Sequence, residues 1–401
     1  MLVAKSETGQ FIAAYKKDDR ALEDLRKQTF TCPVCSSKVI LKAGQVKIPH
    51  FAHHQDSECP NHQGESEAHL NGKIDIHQWC QQQGYPSTLE FALPEVNQRI
   101  DVVAQISDIP VAFEYQCSPI SLEEFEARTQ GMREAGFLPI WIFGESYLNA
   151  HHQHSFRLSP VLKSSIMTEP PFNQPTLLFY SPTKKQLTIL TDFYASDYRS
   201  FVQPAFIPIQ KFQIQHLNTR SFQVNPLLSY WLKEKRRFRT MQRKHTSTTD
   251  HQFMQYLYRH YLHPQYLPAC IHLPNQSSSR LLTPNYVWQA HFLLDCWKDH
   301  KVGESITWTE ALQACEPFFQ KKITTQYAAS SLHPLYEYLM QLTHLGYFTK
   351  TDEGWQVVKH PRYPKTLDEA VIYDRNIFHH LGETFPSEGN FFLQSNQTAI
   401  K

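Results

Sequence analysis

Two short runs, Arg99-Ile-Asp-Val-Val-Ala104 and Val111-Ala-Phe-Glu-Tyr-Gln116, decide the fold. The first is rich in Ile and Val. The second alternates, so that Glu114 and Gln116 share a face with Tyr115 opposite, and each run reads as a strand. If the two are neighbours in one sheet, the carboxylates of Asp101 and Glu114 converge at the strand ends, where a hard divalent cation with several waters fits between them. That is the skeleton of a metal-dependent phosphodiesterase.

The flanking pattern completes a domain. A helix is expected over residues 65–82, with Leu70, Ile74, Ile76, Trp79 and Cys80 as apolar surface, stopped by Gly84-Tyr-Pro86. Strands follow at 88–93, 99–106 and 110–116. Ser121 then opens a second helix, because Ser-x-x-Glu with Glu124 is a capping box and Leu122, Phe125, Thr129 and Met132 form one stripe. Leu138-Pro-Ile-Trp-Ile-Phe143 reads as a buried strand. The order α-β-β-β-α-β, with a right-handed crossover to the last strand, resembles the PD-(D/E)xK, restriction-endonuclease-like nuclease superfamily.

Ahead of this domain, Phe30-Thr-Cys-Pro-Val-Cys35 presents two cysteines at the spacing that lets both thiolates reach one tetrahedral zinc. Four ligands of the right type lie within about thirty residues. Cys32, Cys35 and Cys59 come first, with His53 as the fourth and His50 as its substitute. A closed, structural zinc there would hold together a module too small for its own core.

The motifs Cys32-Pro-Val-Cys35, His50-Phe-Ala-His53, Glu65-Ser-Glu-Ala-His69, Arg99-Ile-Asp101 and Glu114-Tyr-Gln116-Cys-Ser118, in that order, resemble the competence protein CoiA family. The resemblance covers about residues 1–145. It implies a DNA-processing role in natural transformation and recombination of incoming single-stranded DNA, with recombination proteins as partners. As an enzyme, the chain would hydrolyse phosphodiesters with Mg²⁺ or Mn²⁺ held by Asp101 and Glu114, and Glu67, before Glu65, could add a ligand or hold a water. Gln116 stands where the superfamily usually has lysine, so a neutral side chain that orients water replaces a cation. The other reading is a catalytically inactive nuclease fold that binds DNA and recruits recombination proteins.

Candidate DNA contacts are Arg99, Ser118 and Arg128, each with a plainer alternative: an ion pair with Asp101, a turn cap before Pro119, and an ion pair with Glu124. A second set, Lys233, Arg236, Arg237, Arg239 and Arg243, crowds one expected helix with Glu234 as the opposing charge. It could neutralise several phosphates of single-stranded or branched DNA, or be a solvated face.

The whole chain has 401 residues, a formal charge of +1, 41% apolar content and eight cysteines. The length and apolar content support two or three cores, and the balanced charge confines nucleic-acid contacts to local patches. No apolar run is long enough for a membrane span and no secretory signal is evident, so the cytoplasm is expected, with neither membrane nor small-molecule partner. The expected fold class is α/β, with a zinc-ribbon-like module at 1–62, the nuclease-like domain at 63–148 and a linker with a hairpin and the basic helix at 149–280. Three helices and a two-stranded wing give a winged-helix-like domain at 281–360, and a tail follows at 361–401.

Overall fold

The computed structural model describes the chain apart from residues 45–46, 55–58, 60–64, 153, 168–171, 173, 196–198, 215–223, 241–246, 282, 320–332 and 385–401. The chain forms two compact units that interleave along the sequence. One comprises Met1–Asn149, Met167–Leu190 and Pro204–Leu217, and the other Ala150–Ile166, Thr191–Gln203 and Asn218–Lys401.

The first unit begins with a hairpin. β1 (Val3–Ser6) and β2 (Phe11–Ala13) pair antiparallel, and Gly9 turns the chain at φ +82. α1 (Asp19–Leu25) starts where the Asp18 side chain accepts the Ala21 N–H. β3 (Phe30–Thr31), β4 (Lys38–Lys42) and β5 (His50–His53) complete a five-stranded sheet in the order β2-β1-β3-β4-β5. Its own core is small, built on Ala14, Leu22, Leu25, Phe30 and Phe51 with Cys32 and Cys59.

The nuclease-like segment has the expected order: α2 (Glu67–Gln82), β6 (Ser87–Leu93), β7 (Gln98–Ile106), β8 (Ile109–Gln116), α3 (Leu122–Glu134) and β9 (Leu138–Gly144). β6, β7 and β8 are antiparallel, and β9 runs parallel to β8 after the α3 crossover. Ser66 and Ser121 cap the two helices by accepting the His69 and Glu124 N–H groups. Trp79, Val102, Phe113, Tyr115 and Ile142 form the core beneath α2.

The hairpin expected within 149–280 forms, from strands Thr176–Ser181 and Gln186–Ala195, but that part is corrected from linker to main sheet, because Thr176–Ser181 also runs parallel to β9 through Leu178↔Ile142. All six residues of Thr176–Ser181 are buried, the pattern of a sheet strand covered on both faces.

The second unit is mainly helical, around Trp231, Trp288, Phe292, Trp297 and Tyr338. Its helices Asn285–Asp295, Trp308–Phe319 and Pro334–His344 precede strands Phe348–Lys350 and Trp355–Val357. The sequence predicts two strands here; Ser305–Ile306 adds a third by pairing Ile306 with Trp355. The expected tail is also corrected, because Leu367–Thr384 is a helix whose buried Asp374 receives Lys235 and Arg239. Among the described residues, no helix is long and apolar enough to cross a membrane.

Candidate active site and metal centre

β7 and β8 pair from Ile106↔Ile109 to Val102↔Phe113. The next rung of that register is Asp101 and Glu114. At this opening the Tyr115 N–H donates to Asp101 Oδ2 at 3.0 Å, so a side chain supplies the acceptor where a ladder carbonyl would stand. His69 Nε2, from the first turns of α2, lies 3.1 Å from the same oxygen, and Lys73 Nζ lies 3.7 Å from Oδ1. Glu114 receives the Arg128 guanidinium from α3, which also lies over the Trp141 ring at 5.8 Å.

Both carboxylates are buried, Asp101 at 6% and Glu114 at 2% exposure, yet they titrate apart. Burial would raise Asp101, but His69 and Lys73 outweigh it and hold this carboxyl well below the usual range. Burial and the charge of Asp101 push Glu114 up to about 7, against the opposing pull of Arg128. One carboxylate is therefore held ionised, and the other is held back from ionising by burial and by its neighbour although Arg128 is paired with it.

A second layer of charge lies behind them. Lys73, fully buried, donates to Glu65 Oε2 at 2.7 Å and to Glu90 Oε1, and Arg99 Nη2 donates to Glu65 Oε1 at 2.6 Å. Burial would lower Lys73, but Glu65, Glu90 and Asp101 raise it on balance, so its ammonium stays charged. Sequence reasoning missed Lys73 and Glu90. The available signal was a lysine on the same stripe of α2 as Leu70 and Cys80, and a Glu whose neighbours Leu89 and Phe91 alternate as a strand.

The expected site residues fall unequally. Glu67 stands exposed in the first turn of α2, whereas Glu65 joins the buried cluster. Gln116 donates its amide to Ser118 O at 2.6 Å and so faces the turn before α3; Ser118 itself is exposed. Arg99, offered as a DNA contact, is 7% exposed and ion-paired with Glu65, so it cannot reach a backbone outside. The Arg128 side chain keeps 23% exposure and reaches the surface beside Glu114.

In the second unit Lys233, Arg236 and Arg237 are exposed on the helix Val224–Thr240, with Arg237 paired to Glu234. Arg239 is corrected from a DNA contact to a core residue. It is 1% exposed, binds Asp374 through two nitrogens, and donates to the carbonyls of Gln265 and Leu267. Arg243 lies outside the described residues.

The N-terminal module brings Cys32, Cys35, His53 and Cys59 together, with one ligand atom from each lying within 4.8 Å of the others. This set can hold a metal ion. Cys35 Sγ lies 3.4 Å from His53 Nε2, and the Val34 N–H points at Cys32 Sγ from 3.4 Å, bracing the sulfur as a knuckle does. Burial pushes the Cys32 thiol up; it would also raise Cys35, but hydrogen bonds from Ser37, Cys59 and Cys32 bring that thiol below its ordinary value. His50 turns away, its Nδ1 against Ile48 O at 2.9 Å.

Three family models match the chain in succession: the competence protein CoiA N-terminal domain over residues 14–62, its nuclease-like domain over 65–222 and its C-terminal domain over 228–372. The competence protein CoiA of Bacillus subtilis (strain 168) is 28% identical over 366 residues, which is 89% of this chain and 97% of that protein. No solved structure matches. The nuclease-like match contains β7, β8 and the paired acids at their opening. The chain belongs to the competence protein CoiA family.

Proposed function

We propose that the chain is a cytoplasmic DNA-processing protein of natural transformation, and that Asp101 and Glu114 form the centre of a divalent-metal-dependent deoxyribonuclease. The observation that supports this most strongly is the pairing of two buried carboxylates at the strand opening, one held ionised and one pushed up to about 7 by burial and the neighbouring Asp101 charge. A hard dication with oxygen ligands would offset both, so the donor set fits Mg²⁺ or Mn²⁺. Bound there, such an ion polarises a scissile phosphate and acidifies a water.

The chain's own groups have separate tasks. The Tyr115 amide and His69 fix the Asp101 carboxylate. Arg128, partly exposed beside Glu114, offers a guanidinium to phosphate. Gln116 and Ser118 shape the turn that borders the opening. In the N-terminal module, Cys32, Cys35, His53 and Cys59 hold a structural zinc in a ribbon-like setting. The helices and three-stranded sheet at 285–357 act as a winged-helix module, and Lys233 and Arg236 add phosphate contacts.

A second reading is favoured by Gln116. Its amide is committed to Ser118 O, so the strand position where nucleases of this type usually carry a lysine supplies no cation to the Asp101–Glu114 opening. On that reading the fold binds single-stranded or branched DNA and recruits recombination proteins without cutting. Cleavage assays with Mg²⁺ and Mn²⁺ on single-stranded, duplex and branched DNA separate the two. Metal-dependent cutting that disappears in Asp101→Ala supports the enzyme. Salt-dependent binding with no cutting selects the scaffold, and cutting that survives in Asp101→Ala removes this site.

A further inference from the structure

Glu90 sits inside β6 with φ +54, a left-handed conformation that residues with a Cβ adopt at a penalty. The β6–β7 pairing steps over it, from Leu89↔Val102 to Phe91↔Ile100. What the distortion achieves is to bury the carboxylate at 3% exposure between two neighbours. Oε2 accepts the N–H groups of Leu2 at 2.6 Å and Val3 at 2.8 Å, and Oε1 accepts Lys73.

Those partners lead in opposite directions. Leu2 and Val3 begin the N-terminal sheet, where the Phe51 N–H of β5 donates to Met1 O at 2.8 Å, and β5 ends in His53 of the Cys32–Cys35–His53–Cys59 cluster. Lys73 leads the other way, to Asp101 Oδ1 at 3.7 Å. Arg99 lies between the two clusters, paired with Glu65, while its Nε and Nη1 have no hydrogen-bond partner among the described residues. Burying Glu65, Glu90, Asp101, Lys73 and Arg99 together is a poor way to stabilise a sheet, because apolar residues of similar volume do as well or better. What such a network does is fix where carboxylates stand.

We infer that Glu90 and Lys73 are positioning residues for Asp101, and that through the Leu2 and Val3 amides they make the placement of Asp101 depend on the metal-loaded N-terminal module. The inference rests on the reading of Asp101 and Glu114 as a cation site only for its functional consequence; the coupling itself is mechanical. Three amides report it directly: Leu2 and Val3 are held by Glu90, and Tyr115 is held by the Asp101 carboxylate.

The test is residue-resolved amide exchange on the full-length protein, with Ala104 and Val111, which are paired in the β7–β8 ladder, as internal controls. Two arms are run: Glu90→Gln, and wild type stripped of metal with a zinc-selective chelator and then reloaded. In both, exchange at Leu2, Val3 and Tyr115 is expected to quicken by about tenfold or more while Ala104 and Val111 stay unchanged, and zinc is expected to restore the wild type. In Glu90→Gln the affinity for Mn²⁺ at Asp101 and Glu114 is expected to fall by about tenfold. Unchanged protection of Tyr115 on metal withdrawal overturns the inference, and so does a loss shared equally by Ala104 and Val111 in both arms. A Tyr115 response in a wild type that binds no Mn²⁺ supports the coupling and removes the nuclease reading.

Discussion

Gly72 is fixed by a neighbour and not by a turn. A Cβ at this position in α2 would stand 2.0 Å from Tyr115 Cε1, and the ring is anchored by its hydroxyl, which donates to Tyr180 O at 3.1 Å. Gly72→Ala is therefore expected to destabilise the protein by about 1–3 kcal/mol, read as a lower urea midpoint. A midpoint equal to that of wild type would show that α2 does not lie this close to the sheet. Glu337 supplies a pH prediction. It accepts the N–H groups of Gln276 and Ser277, each at 2.8 Å, yet burial raises its carboxyl above the usual value. The folded state then keeps this proton to higher pH than the unfolded chain. Its contribution to stability is full below about pH 4.5, the unfolded value, and is lost as pH rises through the folded one. Glu337→Gln, neutral throughout, should gain on wild type as pH rises above about 4.5, by about 1.4 kcal/mol per unit of upward displacement. A pH-independent difference in urea unfolding speaks against it. At this scale the sequence exposes Asp101, Glu114 and the clustered Cys32, Cys35, His53 and Cys59, because their chemistry lies in residue type and spacing. Glu90 and Lys73 stay hidden, since the burial of a charge is decided by strands and helices far apart in the chain.

Among the elements, the helix Val224–Thr240 shows how far a charge run can be read. Lys233, Arg236 and Arg237 are exposed, whereas Lys235 and Arg239 turn inward onto Asp374. Asp374 lies in the helix Leu367–Thr384, more than a hundred residues downstream, which a count of local charge cannot see. Asp374→Ala strands two buried cations and is expected to cost about 3–5 kcal/mol. Lys233→Ala combined with Arg236→Ala should leave the urea midpoint in place and lower the slope of log affinity against log salt for single-stranded DNA by about 1.4. An unchanged slope would make this an ordinary solvated face. The order from α2 to β9 was legible because caps, periodicity and strand alternation agree there. The hairpin that opens with Thr176–Ser181 is legible too, but not its place beside β9, because a short apolar run carries no mark of the strand it will join.

In the molecule as a whole, the N-terminal module and the nuclease-like sheet belong to one compact unit, and the Cys32–Cys35–His53–Cys59 cluster and the paired acids both lie within it. Purified without chelators, the protein is expected to carry about one zinc per chain, and Cys35→Ser should lose that metal and unfold at lower urea. Metal content below about half an equivalent would count against a structural site. The central proposal is that Asp101 and Glu114 together hold a second, hard cation. Titration of the zinc-loaded protein with Mn²⁺, followed by electron paramagnetic resonance, addresses it directly. One further ion per chain should bind in the wild type and fail to bind in Asp101→Asn, with zinc content and the exchange protection of Ala104 and Val111 retained to show that the variant is folded. Equal Mn²⁺ binding by the two proteins would mean that the carboxylates at the strand opening are not a metal site.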